Sequence, residues 1–198
     1  RQRQMCIRDR NSTWKETHIE KVITINTPYL GTVKALGILC CGQRVNKPLL
    51  KKIDYLMNFS AFFWLIPNPY FEKEKIINQE TNTTVSSLKD LVADDVWERI
   101  EFHFQKELLQ LGNSNGVTTH IIYSSNIPTV CTLHGETKSS SLGDGMICLD
   151  SLVFPKQWEN SHLVHLHPIE DYDHTKILNS KTLFDLILAI IKTTSYEN

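Results

Sequence analysis

The run His18 to Asn26, HIEKVITIN, leads directly into Thr27-Pro28-Tyr29-Leu30-Gly31, and this junction constrains the fold more than any other feature of the sequence. Val22, Ile23 and Ile25 are β-branched, so the run predicts a buried strand. Pro28 cannot donate a ladder hydrogen bond and Gly31 permits a tight turn. The strand must therefore stop there and deliver a loop at its carboxyl end. In open α/β sheets that edge is where sites form.

From Thr32 to about Leu111 the pattern turns helical, with Val33, Leu36 and Leu39, then Leu49, Leu50, Ile53, Leu56 and Met57, and later a charge-rich amphipathic stretch from Val85 to Leu111. No strand signal interrupts it. Within it lies Phe59 to Phe71, FSAFFWLIPNPYF, whose two prolines make it too irregular for one simple helix. That stretch is either core or a lid.

Gly112 to Gly116 is a loop, and Val117 to Ser124 predicts a second strand, with Thr129 to His134 a candidate short one. Glu136 to Gly145 is a turn-forming loop whose end sets Asp144 between two glycines. Ser161 to Pro168 predicts a third strand, and Thr175 to Thr193 a final helix with Ile177, Leu178, Leu183, Leu186, Ile187, Ile190 and Ile191 on its apolar side. The order strand, helices, strand, loop, strand, helix is that of an α/β fold.

This order sends the Asp144 loop and the loop bearing His174 to one sheet edge. Nucleophilic catalysis needs such a pair, because a serine hydroxyl is a weak nucleophile until a neutral imidazole takes its proton. A buried carboxylate fixes the imidazole tautomer and steadies the imidazolium. Asp144 by itself is as readily a turn residue, and Asp173 is expected to cap the final helix with His174 in its first turn. There the helix dipole would disfavour a protonated ring and keep His174 neutral.

Composition narrows the alternatives. Lys plus Arg is 21 against 22 for Asp plus Glu, so no long-range field draws in nucleic acid. The longest apolar stretch is broken by Asn58, Ser60 and Pro67, so no membrane-spanning segment is expected. Cys6, Cys40, Cys41, Cys131 and Cys148 lack metal-site spacing, and no cofactor or metal is expected. His162, His165 and His167 offer zinc a weak alternative, since the last two share a strand face. Residues 1–10, RQRQMCIRDR, lack the apolar core of a secretory signal and are taken as a non-native or disordered leader.

The blocks KVITINTPYLGTVKAL, IIYSSNIPT, SLGDGMICLDSL and DHTKILNSKTLFDLILAII resemble successive blocks of the lecithin:cholesterol acyltransferase-like lipases and acyltransferases, over roughly Ile19 to Ile191. The resemblance implies the C-terminal part of an α/β-hydrolase fold over residues 11–198, with a largely helical cap or lid insertion at about 37–111. It implies Asp144 as triad acid, His174 as triad base, and Thr27, Pro28, Tyr29, Leu30 and Gly31 as the loop lining the acyl site. The order acid then histidine is that of α/β-hydrolases.

No GxSxG sequence occurs, so no nucleophile is assigned, and by the resemblance it would precede Ile19. Where the family usually has Thr-Val after GDG, this chain has Met146-Ile147, which drops a hydroxyl able to bond the loop backbone. The implied function is that of a lipid O-acyltransferase, or a lipase or phospholipase, working through a Ser-Asp-His triad. Its implied partners are an acyl-ester lipid, an alcohol acyl acceptor where the reaction is transfer, and a membrane touched peripherally. The alternative is a non-catalytic lipid- or protein-binding module. Asn11, Asn58 and Asn82 head sequons, and the secretory pathway, lysosome or vacuole, or exterior is favoured over the cytoplasm.

Overall fold

The computed structural model describes residues 12–40, 60–67, 76–78, 83–84, 89–90, 92–103, 116–132, 141–158 and 160–193. The leader at 1–10, the three sequon asparagines, Phe59, Phe71 and the apolar positions from Leu49 to Met57 lie outside them.

The elements in chain order are α1 (Ser12–His18), β1 (Lys21–Ile25), α2 (Val33–Cys40), α3 (Ser60–Phe63), β2 (Ile76–Asn78), β3 (Thr83–Thr84) and α4 (Asp94–His103). There follow β4 (Thr118–Ser124), β5 (Ile127–Thr129), β6 (Ser141–Gly143), α5 (Leu149–Val153), β7 (Val164–Ile169) and α6 (Lys181–Lys192). Strands β1, β4 and β7 form a parallel sheet in that order. Parallel neighbours need long crossovers, and both faces of such a sheet must be covered.

The strand alternation supplies those faces. Ile23, Ile25, Ile122 and Ile169 turn to one side and meet Ile177, Leu183, Leu186, Ile187 and Ile190 from the last helical segments. Ile121, Tyr123, Val164 and Leu166 turn to the other and pack with Ile147, Leu149, Leu152, Val153 and Tyr29. Ile122, Ile121 and Leu152 are fully buried. Truncating any one of them to Ala would cost about 2–5 kcal/mol through lost transfer energy and a residual cavity. At the open end of α6, the Lys21 ammonium donates to the Ile190 carbonyl at 2.8 Å, opposite the negative end of the helix dipole.

Four local expectations are corrected. The stretch from Thr32 to Leu111 is not helical throughout, because β2 and β3 pair antiparallel within it; such short strands leave too little periodicity to read. The short strand expected at Thr129 to His134 instead spans Ile127–Thr129 and pairs with β6 at the end of the anticipated loop. Residues 133–140 between them lie outside the described set. The third strand begins at Val164 rather than Ser161, since Ser161–Leu163 form a 3-10 turn. The final helix is two pieces, a 3-10 turn at Lys176–Asn179 and α6, whose N-cap is Ser180 accepting from the Leu183 N–H, and the break leaves Leu178 and Ile191, expected on the apolar side, exposed. Ser is a strong capping residue, worth about 1 kcal/mol, and it resets the helix start.

Candidate active site

Asp144 sits in the tight turn between β6 and α5 and is completely buried. Its carboxylate folds back on the turn, Oδ1 accepting from the Met146 N–H at 2.8 Å and the Ile147 N–H at 2.7 Å. Glycine is required on both sides. Gly145 has φ +87°, and a Cβ on Gly143 would collide with the Ile147 carbonyl and the Thr129 hydroxyl. Hydroxyls and an amine from other elements hold the turn: the Gly145 N–H donates to Thr129 Oγ1 at 2.8 Å, Thr32 Oγ1 donates to the Met146 carbonyl at 2.6 Å, and Lys34 Nζ donates to the Gly145 carbonyl at 2.6 Å. A disulfide between Cys131 and Cys148 ties the far side of the turn to the end of β5.

His174 lies in the loop after β7. Its backbone N–H donates to the Asp144 carbonyl at 2.7 Å, and its Nδ1 lies 2.6 Å from Asp144 Oδ2. The carboxylate can only accept, so Nδ1 carries the proton and the Nε2 lone pair is left for chemistry. The imidazole is 31% exposed while its carboxylate partner is sealed from solvent. The hydrogen bond to Asp144 raises the His174 pKa above its ordinary 6.5, with burial and the nearby Lys34 ammonium opposing.

This corrects the expected origin of its proton affinity. Asp173 does not cap the final helix; its Oδ1 accepts from the Thr175 and Lys176 N–H groups at 3.1 and 2.8 Å, forming a local turn. His174 therefore precedes α6 by more than a turn, where the helix dipole has no hold on it. Lys176 beside Asp173 holds that carboxyl well below the usual range.

Three polar residues organise the edge, Asn126, Asp171 and Asn26. Asn126 and Asp171 exchange hydrogen bonds of 2.9 and 2.8 Å, pinning the His174 loop to the end of β4 while Asp171 adopts φ +66°. Asn26, at the end of β1, is buried with φ +44°. The signal available for Asn26 was its place between a β-branched run and Thr-Pro, where asparagine tolerates left-handed backbone.

The Thr27–Gly31 loop leaves the same edge. Ser151 on α5 clamps it, accepting from the Leu30 N–H at 3.0 Å and donating to the Gly31 carbonyl at 2.8 Å. Tyr29 donates or accepts with Thr24 Oγ1 at 2.8 Å and meets the Trp158 ring edge-on at 5.7 Å. Leu30 is buried, and Thr27, Pro28 and Tyr29 are half-buried. The structure therefore brings Asp144 and His174 into contact and ties the 27–31 loop beside them through its neighbours Asn26, Thr32 and Lys34.

The histidine cluster takes another form. His120, His165 and His167 line one sheet face, their rings stacked at 4.9 and 5.3 Å, with His120 Nδ1 3.0 Å from His167 Nε2. His162 lies on the exposed 3-10 turn, and no group of metal-binding geometry occurs among the described residues. Of the aromatic run, Phe62 and Phe63 are buried in the core and Trp64 is half-buried.

A parallel sheet packed on both faces, with polar side chains converging at its carboxyl edge, defines an α/β protein whose candidate site lies where open sheets carry theirs. The family model for lecithin:cholesterol acyltransferase matches residues 2–118, more than half of the chain. The chain belongs to the lecithin:cholesterol acyltransferase family. It is 26% identical to a phosphatidylcholine-sterol acyltransferase of Mus musculus, over 90% of this chain and 45% of that protein. It is 23% identical to a lysosomal phospholipase A and acyltransferase of Mus musculus and to its counterpart of Homo sapiens, each over 90% of this chain and 47% of the relative. The chain spans about half the length of the curated relatives it matches.

Proposed function

We propose that this chain carries the acid and base of a Ser-Asp-His triad in an enzyme that transfers or hydrolyses the acyl ester of a lipid. The 2.6 Å hydrogen bond between His174 Nδ1 and a fully buried Asp144 carries the reading. The nucleophile serine belongs to a segment beyond this sequence, which contains no GxSxG. In the first half-reaction, His174 Nε2 accepts the serine proton as the oxygen attacks the ester carbonyl. Collapse of the tetrahedral adduct breaks the ester bond. The proton passes from Nε2 to the leaving alcohol, and the acyl group remains on serine. Water or an alcohol then gives its proton to Nε2, attacks the acyl-enzyme and restores the serine. Asp144 stays ionised throughout and steadies the imidazolium.

The donor is an acyl-ester lipid such as a phospholipid, a class suggested by relatives named for phosphatidylcholine and for phospholipase A. Hydrolysis and transfer share the acylation step, and the acceptor is decided by how far water is excluded. Residues 27–31 contribute a wall of the acyl site, supported by their departure from the edge that bears His174. The reading of the insertion at about 37–111 as a cap is supported, for its described residues, by the Thr32 N–H bond to the Leu65 carbonyl at 2.7 Å, which ties it beside the 27–31 loop. The Cys131–Cys148 disulfide and the lysosomal relatives favour the secretory pathway or lysosome. No helix among the described residues is long and apolar enough to cross a membrane.

A serine-directed fluorophosphonate is the direct test on the full-length protein. It should label the native enzyme stoichiometrically and label His174→Ala far more slowly, and the 198-residue chain alone should not turn over ester. Labelling at equal rates with and without the imidazole would remove the triad.

A further inference from the structure

Asn26 ends β1 with φ +44°, a backbone conformation that side chains other than asparagine, aspartate and glycine rarely adopt. Its side chain is 3% exposed and spans two elements. Oδ1 accepts from the Ser124 backbone N–H at 2.9 Å, which fixes the amide orientation because only an oxygen can accept there. Nδ2 must then be the donor, and it meets the His174 carbonyl at 3.3 Å and Ser124 Oγ at 3.4 Å. The Asn26 N–H donates to the Ile122 carbonyl at 3.0 Å, which closes the junction of β1 with β4.

His174 is thereby held at both ends of its main chain, its N–H by the Asp144 carbonyl and its carbonyl by Asn26. With both held, loop drift is blocked and the imidazole can leave Asp144 only by side-chain torsion. The other anchors of the loop, the Asn126–Asp171 pair before His174 and the Asp173 turn after it, hold neighbouring residues and leave the His174 carbonyl to Asn26.

From this geometry we infer that Asn26 is a positioning residue for the base, using its side-chain amide to lock the His174 main chain against the ends of β1 and β4. The inference rests on the acid–base reading of His174 and names a residue that acts through it without touching substrate. Glycine at this position keeps the backbone angle and removes the bridge. Aspartate keeps the acceptor for Ser124 but turns an oxygen toward the His174 carbonyl, where the two repel. Ser124→Ala loses the weaker hydroxyl bond and keeps the link to His174.

The test is NMR of the imidazole and amide protons, combined with steady-state kinetics of the full-length protein. In the native protein the Nδ1–H of His174 should be visible and slow to exchange, and the Asn26 side-chain amide protons should be protected. In Asn26→Gly and Asn26→Asp the Nδ1–H should exchange faster, with kcat lowered about ten- to a hundredfold at little-changed KM, the scale of a small misplacement of a reacting group. Ser124→Ala should keep the native imidazole signal. An unchanged Nδ1–H and kcat in Asn26→Gly, or a freely exchanging Asn26 amide in the native protein, overturns the positioning role and leaves the acid–base reading intact. An unprotected Nδ1–H in the native protein overturns both. The amide exchange of the native protein needs no variant, so misfolding of a substituted chain does not spare the inference.

Discussion

His174 can accept a proton only while neutral, and its bond to Asp144 raises the pKa above 6.5. The acid limb of kcat/KM for the full-length protein should therefore lie above pH 6.5, with activity falling as pH drops through the raised value. Asp144→Asn removes the ionic partner and should move the remaining limb to lower pH, which a pH–rate series would show. The stability term has its own sign: a raised folded-state pKa stabilises below 6.5 and that contribution fades as pH rises through the folded value. Asp144 and His174 were legible in the sequence because a glycine-flanked acid and a histidine after the next strand are set by chain order. Asn26 and the Asn126–Asp171 pair were not, because their roles depend on which backbone groups the folded edge leaves facing them. The dipole argument for His174 failed for a nearby reason: Ser180, not Asp173, begins the helix.

At the scale of elements, the acid turn is held by bonds that reach across the chain. Cys131 and Cys148 are 17 positions apart with Cα atoms 5.9 Å apart, and a loop of about that length is worth roughly 3 kcal/mol on the chain-entropy account. Cys131→Ser with Cys148→Ser should lower the denaturation midpoint by that order, measured by urea unfolding with the slope unchanged. Ser151→Ala leaves the Leu30 N–H and the Gly31 carbonyl without their buried partner, at a cost of about 1–3 kcal/mol, read in the same experiment. Strands β1 and β4 were readable because β-branched residues cluster and then stop at polar loops, and β7 because Val164 and Leu166 alternate with histidines. The two- and three-residue strands β2, β3, β5 and β6 were not, since so few residues carry no period and their pairing is set by partners distant in sequence.

Across the whole molecule, the sheet carries its chemistry at one end and a histidine stack further back on the α6 face. Burial, followed by the charges of His165, His167 and Lys21, pushes the His120 pKa down to about 4, and burial likewise lowers that of His167. The unfolded chain therefore binds protons first as pH falls below 6.5, and stability is lost between there and about 4. Thermal melts over that window should show a falling midpoint, and His120→Leu should flatten the fall; an unchanged slope would mean the stack is not the source. The layered α/β plan was legible from element order, while the stacking of His120 between His165 and His167 required the strand register.

The central claim is that Asp144 and His174 work as one acid–base unit. It is tested most directly by kcat/KM for ester cleavage by the full-length protein carrying Asp144→Asn, His174→Ala, or both. Each single change should lower the rate by about a thousand- to ten-thousandfold, and the double variant should be scarcely worse than either, because members of one catalytic unit are not additive. Losses that multiply in the double variant, or native rates in either single one, would contradict it.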